Sequence, residues 1–260
     1  MSELPPIEFL FRLAEAASAE TLPRFRQKLA IESKLKAGYR FDPVTEADRE
    51  AERVIRELIS SEFPDHAILG EEFGSSGDGP IKWVIDPVDG TRPFICGIPV
   101  WGTLIGLTVD GVARLGMMSQ PYTRETFWAD SSGSWMDIPT GRHPLRSSTT
   151  ETLSDAILHV NSPEPFKGSL KEKLGVLDSV VRMTRYGGEC YAFAMLAAGQ
   201  IDLCVETGIQ PYDIVALIPI IENAGGVVTT TTGGRAEQGG DILISGNRFL
   251  HEAALKILKT

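Results

Sequence analysis

The sequence predicts an α/β (α+β) fold built in two parts, and three observations carry that reading. Two N-terminal segments repeat their apolar residues at helical spacing, residues 103–129 read as strand, and beyond residue 150 strands and helices alternate. With 260 residues, 42% apolar and 23% charged, the chain can bury a core as one large domain or as two.

Residues 7 to about 29 place Ile7, Leu10, Phe11, Leu13, Ala14 and Ala17 on one face behind Pro5 and Pro6, which suit a helix start. A short polar strand and a loop are expected next. A second helix follows, opened by Thr45 or Asp48, with Ala51, Val54, Ile55, Leu58 and Ile59 on its apolar face. Two strands at 67–69 and 81–86 both end in acids, and Pro87, with its fixed φ and no N–H, is expected to close the second in a turn. Asp110-Gly111 between apolar runs predicts a hairpin. Residues 130–152 are rich in Gly, Ser, Thr and Pro and read as the boundary between halves 1–150 and 151–260. Strands at 156–160, 176–183, 202–206, 226–230 and 241–246 then alternate with helices at 165–174, 189–199, 211–225 and from 247 onward.

Composition excludes several classes. The net charge is −10, 35 acidic against 25 basic residues with no Lys/Arg run, so no nucleic-acid partner is expected. An anionic substrate would then need a local cation, best supplied by a metal. Cys96, Cys190 and Cys204 show no C-x-x-C spacing, so neither a disulfide framework nor a zinc site is indicated, and a reducing cytoplasm fits. The N-terminus lacks a basic-then-apolar signal and no stretch of about 18 apolar residues occurs, so neither export nor a membrane span is expected.

Chemistry concentrates in Asp86-Pro87-Val88-Asp89-Gly90-Thr91. A turn there brings two carboxylates and the Val88 carbonyl together as hard oxygen ligands of the kind Mg²⁺ takes. A helix starting near Thr91 would add N–H groups and a hydroxyl for an anion. The same hexapeptide also reads as a plain capped turn. Glu71-Glu72 after a strand is either solvated or ligating, and Asp213 is either a helix-dipole residue or a ligand. If Glu71, Asp86, Asp89 and Asp213 converge, each pair about 4 Å apart repels by roughly 4 kcal/mol at an effective dielectric near 20. Such a cluster needs cations or protons. The four histidines, His66, His143, His159 and His251, lie outside these motifs and read as structural or surface residues, so no Ser-His or His-phosphatase mechanism is indicated.

The segments "DPVTEAD" (42–48), "GEE" (70–72), "WVIDPVDGT" (83–91) and "GIQPYDIVALIPIIENAGG" (208–226) resemble, in this order, the motifs of the inositol monophosphatase superfamily of Mg²⁺-dependent, lithium-sensitive phosphatases. The resemblance implies a sugar-phosphatase-like αβαβα layered sandwich and a homodimer. It implies that Glu71, Asp86 and the Val88 carbonyl hold one Mg²⁺, and that Asp86, Asp89 and Asp213 hold a second. Gly90 and Thr91 would bind phosphate, and Asp48 with Thr91 would orient and deprotonate the attacking water. Glu71 or Glu72 would assist through a third, loosely held metal. The physics agrees, since phosphate monoester hydrolysis asks mainly for positioning and charge neutralisation.

"GGECY" (187–191), "QPYD" (210–213), "ALIP" (216–219) and "WGTLIGL" (101–107) are most similar to the histidinol-phosphate phosphatase branch. Gly188 and Glu189 become substrate-contact candidates, Glu189 as a carboxylate for a cationic ester or else as the first residue of a helix. Glu206 is a second contact, and Arg185 is either an anion contact or a surface residue. Pro93 departs from the family's small or polar residue. The rivals are another ester, namely inositol monophosphate, fructose 1,6-bisphosphate or 3′-phosphoadenosine 5′-phosphate, and a non-catalytic protein that only binds a phosphorylated ligand.

Overall fold

Helix α1 (Ile7–Thr21) and helix α2 (Glu46–Glu62) lie side by side because each carries one apolar stripe and both stripes need the same cover. The structure, a computed structural model, describes residues 4–28, 30–34 and 42–259. Phe9, Leu10 and Leu13 of α1 and Ala51, Ile55 and Ile59 of α2 share one core cluster with Trp83, Ile85, Ile105 and Leu107 of the sheet beneath.

That sheet has eight strands: β3 (Ala67–Gly70), β4 (Gly74–Ser76), β5 (Ile81–Asp89), β6 (Gly102–Val109), β7 (Val112–Gln120), β8 (Glu125–Asp130), β9 (Gly133–Ile138) and β10 (Gly141–Pro144). Their order is β10-β9-β8-β7-β6-β5-β3-β4, antiparallel except for the parallel pair β3–β5. A separate two-stranded ribbon pairs β1 (Glu32–Lys34) with β2 (Asp42–Val44). The second sheet is β12 (Met183–Tyr186), β11 (Ile157–Val160), β13 (Leu203–Ile209), β15 (Gly240–Ser245) and β14 (Val227–Thr230), in that order.

Period-2 alternation sorts the side chains into layers. On β6, Ile105 and Leu107 face α1 and α2, while Leu104 joins the central cluster. On β13, Cys204 faces inward and Leu203 and Val205 outward; on β15, Ile242 and Ile244 face inward and Leu243 outward. Between the sheets lie α5 (Glu189–Ala197), α6 (Pro211–Ile214) and α7 (Leu217–Asn223), and outside the second sheet lie α4 (Gly168–Val180) and α8 (Arg248–Lys259). The result is the αβαβα sandwich.

Several elements differ from expectation. Helix α1 stops at Thr21, two residues before Pro23, whose missing N–H prevents continuation; Leu29 lies outside the described residues. Strand β5 does not end at Pro87 but runs to Asp89, absorbing one extra residue as a bulge opposite Leu104–Gly102 of β6. Segment 130–152 is not all loop, because β9 and β10 extend the large sheet there; the chain then crosses to the second sheet between Pro144 and Ile157. Residues 176–180, read as strand, continue α4 with Leu174 and Leu177 buried, leaving only 183–186 as strand.

The helix expected over 211–225 is two helices. Their junction rests on Gly106 and Gly116, which pair directly across β6 and β7. A Cβ at Gly106 would stand 2.8 Å from the Ala216 nitrogen, and one at Gly116 would collide with the Ala216 carbonyl. Only glycine admits so close a backbone approach.

Candidate active site

Both strands that end in acids leave the large sheet at the same edge. β3 and β5 run parallel with Gly70 opposite Ile85, and the Glu71 N–H donates to the Ile85 carbonyl at 3.2 Å. Fully buried Glu52 on α2 anchors the loop that follows, accepting from Glu72 N–H (2.7 Å) and Phe73 N–H (3.2 Å) while pairing with Arg56 (2.7 Å). A Cβ on Gly70 would collide with the Glu52 carboxylate.

The bulge in β5 then turns Asp86, Val88 and Asp89 into one cavity wall. Thr103 braces it by donating to the Pro87 carbonyl (2.9 Å), and Asp86 Oδ1 accepts the Val88 N–H (3.1 Å). Asp89 Oδ2 accepts the Cys190 N–H at the start of α5 (2.7 Å). Asp213 sits in the first turn of α6, accepting the Gln210 N–H (2.8 Å) in a reciprocal cap. One oxygen from each of Asp86, Asp89 and Asp213 lies within 4.8 Å of the others.

Burial, reinforced by Glu71, Asp89 and Asp213, pushes the Asp86 carboxyl well above the usual carboxylate range. Burial, with Asp213 and Glu189, does the same to Asp89, against the Cys190 hydrogen bond that pulls it down. A group of hard oxygen donors that repel one another fits a divalent cation of the magnesium class and offers nothing to a soft metal. Glu71 lines the same cavity, and its charge adds to the upward push on Asp86.

Beside it, α3 (Thr91–Ile95) begins at Gly90, whose φ of 89° is left-handed and whose Cβ would stand 2.9 Å from Glu189 Cγ. The Thr91 hydroxyl lies 3.1 Å from Asp48 Oδ1 and 3.2 Å from the Val88 carbonyl, in position to donate to either. Asp48 closes the capping box of α2, where its Oδ2 accepts the Thr45 N–H (2.9 Å) and hydroxyl (2.6 Å). It is fully buried and does not line the cavity itself, which Thr91 does; burial raises its carboxyl above the ordinary value against the Thr45 hydrogen bonds.

A second part of the lining comes from the start of α5 and from the second sheet. Glu189 and Glu206 supply it, joined by Asn161 just after β11. The Asn161 Nδ2 donates to Glu189 Oε2, and its backbone N–H to Glu206 Oε1. Burial raises both carboxyls, Glu206 strongly; Asn161 opposes the shift at each, and Arg92 opposes it at Glu189. Of the predicted residues, Glu71, Asp86, Val88, Asp89, Gly90, Thr91, Glu189, Glu206 and Asp213 line one cavity. Glu72 and Gly188 do not line it, and Arg185 is exposed on the edge strand β12. Sequence reasoning passed over Asn161 and Glu52. Asn161 had a signal: it is a polar residue directly after an apolar strand, the same position that drew attention to Glu71.

The sequence profile of the inositol monophosphatase family matches residues 4–260. The chain belongs to this family. It is a phosphatase, a phosphoric monoester hydrolase. Among its relatives are a histidinol-phosphatase from Chlorobaculum parvum, 36% identical over 95% of this chain and 93% of that one, and an inositol-1-monophosphatase from Synechocystis sp., 35% identical over 82% and 75%. The solved inositol monophosphatase from Zymomonas mobilis superposes with a TM-score of 0.86 at 33% identity, covering 98% of this chain and 97% of that one. As a member of this family the chain takes a small phosphorylated substrate and depends on metal, and the acidic group formed by Asp86, Asp89 and Asp213 can bind it. Among the described residues no helix is long and apolar enough to cross a membrane.

Proposed function

We propose that the enzyme hydrolyses L-histidinol phosphate to L-histidinol, using Mg²⁺. One observation supports the substrate: Glu189 and Glu206 line the same cavity as the metal-binding acids, so six carboxylates share a lining whose only cationic side chain among the described residues is Arg92. Beyond Asn161 and Arg92 a neutral polyol brings that second pair no positive charge, whereas an ester bearing an ammonium and an imidazole does. The histidinol-phosphatase from Chlorobaculum parvum supports the reading, and the Synechocystis inositol-1-monophosphatase names its main rival.

In this reading Glu71, Asp86 and the Val88 carbonyl hold one Mg²⁺ and Asp86, Asp89 and Asp213 hold another, with a third available beside Glu71 and Glu72. The ions would neutralise the phosphate oxygens and acidify water. The chain does the rest. Gly90 and the first turn of α3 present N–H groups to the phosphate. The Thr91 hydroxyl orients the attacking water and passes its proton toward Asp48, whose raised affinity for protons suits a base.

With Mg²⁺ present, kcat/KM for histidinol phosphate is expected to exceed that for inositol 1-phosphate, fructose 1,6-bisphosphate and 3′-phosphoadenosine 5′-phosphate in a phosphate-release panel. A higher value on any of the others removes the histidinol assignment and leaves the phosphatase.

A further inference from the structure

Glu189 holds a left-handed backbone, with φ of 48°, a conformation that costs a residue with a side chain about 1 kcal/mol or more unless its surroundings enforce it. The enforcement converges on one residue. The Asn161 Oδ1 accepts the N–H groups of Gly188 (3.3 Å) and Glu189 (3.4 Å), its carbonyl accepts the Gly187 N–H (3.0 Å), and its Nδ2 donates to the Glu189 carboxylate. Its backbone N–H holds Glu206. Asn161 thus grips the turn before α5, the carboxylate that the turn carries and the carboxylate of the neighbouring strand β13. One oxygen of each acid is occupied in this way. Among the described residues, no donor hydrogen-bonds to Glu189 Oε1 or Glu206 Oε2.

We propose that Asn161 is the positioning residue for ester selectivity: its carboxamide holds Glu189 beside Glu206 so that their remaining oxygens form one acceptor for a cationic substituent of the phosphate ester. This rests on the reading above that the ester is cationic. The two contributions are separable, because Glu206 is held by the Asn161 backbone and Glu189 by its side chain. Asn161→Ala therefore releases Glu189 together with the turn that carries it and leaves Glu206 held, while a water or a neighbouring hydroxyl cannot replace both the donor and the acceptor of the carboxamide in one fixed geometry.

The test is a double-mutant cycle read as a ratio: kcat/KM for histidinol phosphate divided by that for glycerol 2-phosphate, in wild type, Asn161→Ala, Glu189→Ala and the double variant. Losing a hydrogen bond to a charged group predicts a roughly tenfold fall in the ratio for Asn161→Ala. That fall should be carried by KM rather than kcat, and should vanish when Glu189 is already alanine. If wild type favours histidinol phosphate and Asn161→Ala keeps the ratio, or the two losses simply multiply, the positioning role is overturned while the substrate reading stands. A wild-type ratio near one overturns both. Should Asn161→Ala fold poorly, Asn161→Ser keeps a small acceptor without the Nδ2 donor and is held to the same ratio.

Discussion

The two walls of the cavity are both acidic, but they are built in opposite ways. On the β5 wall, Asp86 and Asp89 stand within reach of Asp213, each driven toward protonation by burial and by the others' charge. On the β13 wall, Glu189 and Glu206 are also buried, yet a single asparagine donates to both. Burial and neighbouring charge push up the acids of both walls, Glu206 strongly among them, but only the second wall has its two acids tied together by one residue. The difference teaches that acid count alone does not identify a metal site: Asp86, Asp89 and Asp213 are each held by a different backbone N–H and converge their oxygens, whereas Glu189 and Glu206 are held by one shared residue.

The most severe way to break the comparison is Asp89→Asn, which removes a charge from the β5 wall. Turnover on every ester should fall on the order of 10³-fold, and full activity in a phosphate-release assay would contradict metal holding by that wall. Glu189→Ala acts on the other wall and should be selective, lowering kcat/KM for histidinol phosphate about tenfold or more while a neutral ester changes less. An unchanged preference would make Glu189 only the first residue of α5.

The smallest effect sharpens the contrast through pH. Asp86 and Asp89 have folded-state pKa values raised above the unfolded value of about 4, so the folded chain binds protons that the unfolded chain releases. In the metal-free protein their contribution is fully present below that value and is lost as pH rises through the raised folded values. Mg²⁺ should therefore raise the melting temperature by several degrees near pH 8 and by less near pH 5, read by thermal unfolding. An equal rise at both would place the ion elsewhere.

Local signals carried much of this into the sequence. The Asp110-Gly111 turn is the two-residue hairpin it promised, with φ of 51° and 76° joining β6 to β7. On α2, Ala51, Ile55 and Ile59 of the expected stripe are buried and Val54 and Leu58 half-buried, and the four short motifs carry the acids Glu71, Asp86, Asp89 and Asp213 of the cavity lining. What escaped depends on partners distant in the chain. Val176 and Val180 look like strand text but stay exposed on α4, because the core beneath wants Leu174 and Leu177 at helical spacing. Asn161 is 28 residues from Glu189 and 45 from Glu206, so its role exists only once β11 and β13 lie side by side. The bulge in β5 was hidden for a related reason: Pro87 signals a chain stop, and only pairing with β6 turns that stop into an added residue.

Gly106 and Gly116 give the large sheet a bare patch where the chain between α6 and α7 can settle against it. Neither glycine lines the cavity, yet the Ala216 backbone that both accommodate follows Asp213 on the same stretch of chain. A methyl group added at either position would push the Ala216 backbone away from the sheet, and Mg²⁺ affinity is expected to fall although the cavity lining itself is unchanged.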